Sequence, residues 1–160
     1  MRYLEVLFIC IGLISCGNVS NKTELVSEDT VPVKTKSFPK LDSSRYNVAF
    51  LIMDGVYNTE LTAPYDIFQH TIFRKNIKSM NVFTVANTDY PITTFEGVRI
   101  LPDFNYLKDS IPKIDILVIP SAEHHLDTDL DDENMMNFVK QVDKNAKFMT
   151  SHCDGAFVLA

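Results

Sequence analysis

Several features that would assign this chain quickly are missing from it. It holds three cysteines in 160 residues, Cys10, Cys16 and Cys153, too few to be the framework of a small disulfide-stapled domain. No apolar run reaches the roughly 20 residues that a membrane-spanning helix needs. There is no basic stripe and the net charge is −6, which argues against a nucleic-acid partner. No internal repeat, phosphate-cradling glycine loop, dinucleotide fingerprint or set of metal ligands is present, so the residues imply no cofactor and no metal. The acidic run from Asp127 to Asp132 lacks the glycine and closing glutamate of a calcium loop and reads as a helix cap and a solvated face. What the chain does have is apolar material, 46% of its residues, enough for one globular domain with a real core.

The first sixteen residues, MRYLEVLFICIGLISC, are a separate element. One arginine precedes an apolar run from about Leu7 to Ile14, which fits the core of a signal peptide. The sequence Leu13-Ile14-Ser15-Cys16-Gly17 resembles the lipobox of bacterial lipoproteins. That resemblance implies cleavage before Cys16, lipidation of its sulfur and new amino group, and a protein held by acyl chains at a membrane of the cell envelope. The other readings are a plain signal peptide with an incidental cysteine and a short buried helix. Residues 17–46 are rich in Ser, Thr, Lys, Glu and Asn with Pro32 and Pro39. They show no sustained period and read as a polar tether. Two glycosylation sequons in it, at Asn18 and Asn21, read as chance beside a lipobox.

From residue 47 onward the pattern changes. NVAFLIM (47–53), MNVFTVA (80–86) and IDILVIP (114–120) are continuous apolar runs of the kind that form buried parallel strands. A fourth short strand is expected at 147–151. Between them, Leu61, Pro64, Tyr65, Ile67, Phe68 and Ile72 are spaced for one face of a helix, with Pro64 near its start. Residues 131–145 are amphipathic, with Met135, Met136, Phe138, Val139 and Val142 facing inward and acids at the N-terminal end. A hairpin is expected around Glu96-Gly97. This alternation predicts an α/β fold, an open parallel sheet with helices on both faces. Reactive groups in such sheets lie outside the carboxyl ends of the strands, which singles out the loops 54–60, 121–125 and 152–154.

In the last of these, Ser151-His152-Cys153-Asp154-Gly155 separates a strand from a helix in the form of a nucleophile elbow. The sharp turn lifts the side chain to the sheet edge, Gly155 and Ala156 let helix and strand approach, and helix N-terminal amides point toward the sulfur. The thiolate is the nucleophilic form of cysteine. The alternative is a cysteine serving as a small buried hydrophobe. His124 and His125 follow the third strand, where they either reach the thiol or are solvated loop residues. His152 should point away from the site, because neighbours on a strand alternate faces.

SHCDGAFVLA (151–160) resembles the cysteine elbow of the DJ-1/PfpI superfamily, the class I glutamine-amidotransferase-like fold. DGVYNTELTAPYDIF (54–68) resembles the signature of the branch that holds isonitrile hydratases and AraC-type sensor domains, and DILVIPSA (115–122) resembles a strand that usually ends in Pro-Gly-Gly. The three motifs occur in family order over residues 47–160. The resemblance implies a three-layer, flavodoxin-like sandwich, with Cys153 as nucleophile or oxidisable thiol and Glu60 as the acidic residue that hydrogen-bonds it. Backbone amides near Ala122 and Asp154 would form an oxyanion site, with Ser121 and His124 beside it in the pocket. Ser121-Ala122 stands in place of the family's glycines, and Asp154 stands where a triad of the amidotransferase or PfpI type has its histidine. The resembled domains continue past the elbow with a longer helix, a hairpin that often bears a histidine, and a last strand and helix. The resemblance therefore implies a domain missing on the order of 40 residues at its C-terminus. It also implies a homodimer, a small-molecule electrophile as substrate, and hydration or hydrolysis as the reaction, or else ligand binding or redox sensing through the same cysteine. If Cys16 is lipidated, Cys16→Ser should move the protein from the membrane to the soluble fraction and remove the acyl mass. An unchanged fractionation and mass would refute the anchor.

Overall fold

The computed structural model describes residues 37–160. The signal peptide, Cys16 and most of the tether lie outside the described residues. Five parallel strands form the sheet: β1 (Tyr46–Leu51), β2 (Met80–Ala86), β5 (Phe104–Asn105), β6 (Ile116–Ile119) and β7 (Phe148–Ser151), in the order β5-β2-β1-β6-β7. The remaining strands, β3 (Ile92–Thr93) and β4 (Arg99–Ile100), pair antiparallel as the expected hairpin. The helices are α1 (Asn58–Gln69), α2 (Glu133–Asp143) and α3 (Gly155–Leu159).

β1 lies at the centre because its residues are apolar on both faces. Ala49 and Leu51 join a core with Phe83, Val85, Leu117 and Ile119 beneath α2 and α3, supplied by Met135, Phe138, Val139 and Val158. Val48, Phe50 and Ile52 join the opposite core with Val82, Ile116 and Val118 beneath α1, supplied by Leu61, Tyr65 and Phe68. Helices thus cover both faces, as the alternation of elements predicted. The Phe50 ring meets those of Tyr65 and Phe68 at 5.3 and 6.0 Å. Residues 37–45 pack on the sheet too. Phe38 stacks on Phe104 at 5.2 Å, and the backbone of Asp42 is tied to Asn81, which accepts from its N–H at 3.1 Å and donates to its carbonyl at 2.9 Å.

Three expectations need correction. Ile67 is 70% exposed. It sits six residues after Leu61, which at 100° per residue turns it about 120° from the buried stripe. Ile72 falls beyond α1, in the 3₁₀ turn His70–Phe73, and is exposed. Pro64 lies inside α1 rather than near its start, so the helix loses the N–H that would bond to the carbonyl of Glu60. β5 was not foreseen, because two residues give no period to read.

α1 therefore carries a built-in defect one turn after Glu60. Pro64→Ala should stabilise the domain by about 1–2 kcal/mol, the restored helical bond being offset in part by a freer unfolded chain. The check is the denaturant midpoint at constant m-value. A midpoint that stays or falls would show that α1 is shaped around the proline.

Candidate active site

The parallel register sets the geometry. Ile119, the last residue of β6, pairs with Ser151, the last of β7. Two residues further along, Ser121 and Cys153 leave the same edge of the sheet on neighbouring strands, which run about 4.8 Å apart. β1 flanks β6 on its other side, and the loop after it leads into α1 and Glu60.

The turn at Cys153 is closed by backbone bonds from the His152 N–H to the Ile119 carbonyl at 3.0 Å and from the Gly155 N–H to the His152 carbonyl at 2.9 Å. Cys153 itself has φ +44°, a left-handed conformation that costs a non-glycine residue of order 1–3 kcal/mol and that clusters at functional sites. Its side chain is exposed, with Sγ 3.7 Å from Asp154 Oδ1. Gly155 is required by contact: a Cβ there would lie 2.2 Å from the Ile119 carbonyl oxygen. His152 is exposed.

Glu60 occupies the first turn of α1, and its Oε2 accepts from the Ser121 N–H at 3.1 Å. The loop that presents it is pinned to the β6 end by an antiparallel bridge between Val56 and Ala122, with the Tyr57 N–H bonded to the Ser121 carbonyl at 3.0 Å and the Glu123 N–H to the Gly55 carbonyl at 3.0 Å. The hairpin closes over this loop. Glu96 Oε2 accepts from the Asn58 N–H at 2.9 Å, a bond that holds the Glu96 carboxyl below its ordinary value. The Tyr57 and Phe95 rings meet at 4.9 Å.

Glu60 and Cys153 thus leave the same edge of the sheet after β1 and β7, which do not neighbour each other because β6 lies between them, and their hydrogen bonds are made to other groups. The backbone bonds that build the two turns leave the Ala122 and Asp154 N–H groups unused among the described residues, as an oxyanion site requires. Ser121 Oγ is buried and has no hydrogen-bond partner among the described residues. His124 is half exposed and lies 3.3 Å from Asp127 and 4.0 Å from Glu123. It borders a cavity of about 340 Å³ that also touches Asp54, Tyr90, Tyr106 and Asp132. Burial, followed by the charges of Asp132 and Asp129, pushes the Tyr106 hydroxyl well above its ordinary value, so it is a neutral donor there. Another cavity, about 380 Å³, lies at the opposite edge beside Ile114 and Val142. Neither is lined by Cys153 or Glu60.

His125 corrects the view of the histidine pair as two equivalent loop residues. It is fully buried, with Nε2 2.9 Å from the Pro120 carbonyl oxygen and Nδ1 2.9 Å from Asp129 Oδ2. Its four-residue spacing from Asp129 was the available signal, hidden by the acidic composition of the loop. That acidic run does cap as expected: Asp132 Oδ1 accepts from the N–H groups of Asn134 and Met135 at the start of α2.

A strained, exposed cysteine at a strand–helix elbow on the carboxyl edge of a parallel sheet, with a carboxylate bonded to the backbone at the end of the neighbouring strand β6, defines an α/β protein of the nucleophile-elbow class. Residues 46–160 match the DJ-1/PfpI family, and the chain belongs to that family. Over 112 residues it is 24% identical to the isonitrile hydratase of Pseudomonas putida, covering 70% of this chain and 45% of that protein. In structure it is similar to a ThiJ/PfpI family protein from Pseudomonas syringae, with TM-score 0.62 and 20% identity over 79% of this chain and 52% of that one. It is similar as well to an AraC family transcriptional regulator from Pseudomonas putida, with TM-score 0.56 and 14% identity over 71% of this chain and 68% of that one. The chain thus spans about half the length of the first two.

The contact at Gly155 gives a direct test of the elbow. Gly155→Ala should cost about 3 kcal/mol, because the new methyl meets a backbone carbonyl that cannot swing away. A loss below about 0.5 kcal/mol would show that helix and strand are not held this closely.

Proposed function

We propose that this protein is a cysteine-dependent hydratase or hydrolase acting on a small electrophile, with an isonitrile as the leading substrate class. The observation that carries the reading is the left-handed backbone of Cys153, strain held at the carboxyl edge of the sheet, the same edge from which the chain leads to Glu60, where it leaves the thiol exposed. The similarity to isonitrile hydratase supports the substrate class.

Cys153 would lose its proton to Glu60, and the thiolate would add to the terminal carbon of R–NC. Glu60 would return the proton to that carbon, giving a thioimidate, R–N=CH–S–Cys. Water activated by Glu60 would then add to the same carbon. The proton taken from water would pass to nitrogen, and collapse would form the C=O bond, break the C–S bond and return the hydroxyl proton to the leaving thiolate, releasing the formamide R–NH–CHO. The net reaction adds one water and consumes no cofactor. The Ala122 and Asp154 amides would stabilise the charge that develops as the adduct forms. The pair must close on bound substrate, since catalytic hydrogen bonds are often long in the free enzyme. A second reading, cysteine redox sensing, draws on the exposure of Cys153, since accessible thiols are the ones that oxidise. Attachment to the envelope through lipidated Cys16 and assembly as a homodimer belong to the same proposal.

The test is turnover of a small alkyl isonitrile by the full chain, followed as formamide by proton NMR. Cys153→Ser should abolish it. Glu60→Gln should lower kcat by about 100-fold or more, the usual weight of a proton-transfer group, with KM little changed. A wild-type chain that shows no turnover, while peroxide converts Cys153 alone to its sulfinic acid, would replace the hydratase with the sensor.

A further inference from the structure

One peptide unit of this fold is held from both sides. The carbonyl of the Pro120–Ser121 peptide accepts from His125 Nε2 at 2.9 Å, and the N–H of the same peptide donates to Glu60 Oε2 at 3.1 Å. The other ring nitrogen of His125 faces Asp129 Oδ2 at 2.9 Å. Asp129, His125, the peptide and Glu60 therefore form a single unbranched chain of hydrogen bonds. Its middle is dry, with His125 at 0% exposure and the Asp129 side chain at 20%.

The proton positions follow from chemistry. A carbonyl oxygen only accepts, so His125 Nε2 carries a proton whatever the state of the ring. Nδ1 and the Asp129 carboxylate share one more proton between them, on either atom. A donor placed on a peptide carbonyl draws density toward the oxygen through the amide resonance. The N–H at the other end becomes a stronger donor, and bonds linked in this way strengthen one another in a low-dielectric interior. The ring also fixes the plane of the peptide and hence the direction of the N–H. That direction matters because Glu60 stands on a different element, in α1, and the Ser121 N–H is its hydrogen-bond partner among the described residues.

The geometry points to Asp129 and His125 as positioning residues for Glu60. They act from behind the site, through the Pro120–Ser121 peptide, to set where the carboxylate sits and how firmly it is held. This rests on Glu60 being the proton-transfer group, and adds two residues that touch neither substrate nor thiol. The loop is folded to serve it. The Asp129 N–H returns to the His124 carbonyl at 3.1 Å and the His125 N–H to the Ala122 carbonyl at 3.3 Å, which brings Asp129 back over the ring.

The experiment is NMR on the ¹⁵N-labelled full chain without substrate, read at the Ser121 amide and the His125 ring. Asp129→Asn and His125→Gln should each shift the Ser121 amide proton upfield and speed its hydrogen exchange about tenfold, as expected when a bond to a charged acceptor weakens. Glu60→Gln, made at the far end, should move the ring resonances of His125, which packing alone would leave in place. Asp129→Asn and Glu60→Gln alter partly exposed side chains, so the test stands even if the buried His125→Gln variant does not fold. An unchanged Ser121 amide in Asp129→Asn, together with unchanged His125 resonances in Glu60→Gln, would overturn the relay. No turnover is measured, so an inactive chain bears on the hydratase reading alone and these resonances on the relay alone.

Discussion

The contact on which the rest of the site depends is the approach of Gly155 to the carbonyl of Ile119. Only a residue without Cβ fits there, and its fit lets α3 begin directly against the end of β6. With the helix seated, the chain between β7 and α3 has only the turn 152–154 in which to reverse, and that turn forces Cys153 into a left-handed conformation. The cost of that conformation is met by the neighbouring parallel pairing of β6 with β7 and by the buried side of α3 at Val158. Strain at a functional edge is sustained here by packing just behind it.

The loop after β6 supplies most of the remaining geometry through its backbone. The Ser121 N–H holds Glu60, the Ser121 carbonyl holds Tyr57, and the Glu123 N–H holds Gly55. Its side chains do less at the surface and more inside, with His125 buried against the Pro120 carbonyl. The arrangement explains how Ser-Ala can replace the family's usual glycines. The bonds that matter are made by the main chain, so side chains are admitted provided the peptide planes keep their directions. Ser121 Oγ, buried and without a hydrogen-bond partner among the described residues, is the one polar group this replacement introduces.

Membership in the DJ-1/PfpI family fixes the scaffold and leaves the chemistry open, because one fold carries many functions. An isonitrile hydratase and a transcriptional regulator are both among the proteins this chain is similar to. What separates such uses is the immediate surroundings of the thiol. Here those are Asp154 at 3.7 Å, the carboxylate of Glu60 held on the Ser121 N–H at the end of the neighbouring strand β6, and a hairpin that clamps the start of α1 through Glu96.

Periodicity, apolar runs and turn patterns in the sequence were enough to determine four of the five strands of the parallel sheet, the two larger helices, the hairpin and the elbow. These depend on local patterns: buried strands are continuously apolar, an amphipathic helix repeats every 3.6 residues, and a sharp turn needs small residues. Cys153 was singled out by its strand–turn–helix setting at the carboxyl edge of the sheet, whereas Glu60 was singled out only by the resemblance of residues 54–68 to a family signature. Tertiary structure alone decided the rest. It turned His125 inward and gave it Asp129 and a carbonyl, although the sequence shows two adjacent histidines in an acidic loop. It left Ile67 in water at the margin of an apolar stripe and admitted Pro64 into a helix interior. It assigned the Glu60 carboxylate to a backbone N–H sixty-one residues away. Such choices are settled by which groups lose water together and which partners lie within reach when they do, and that depends on contacts between residues far apart in the chain.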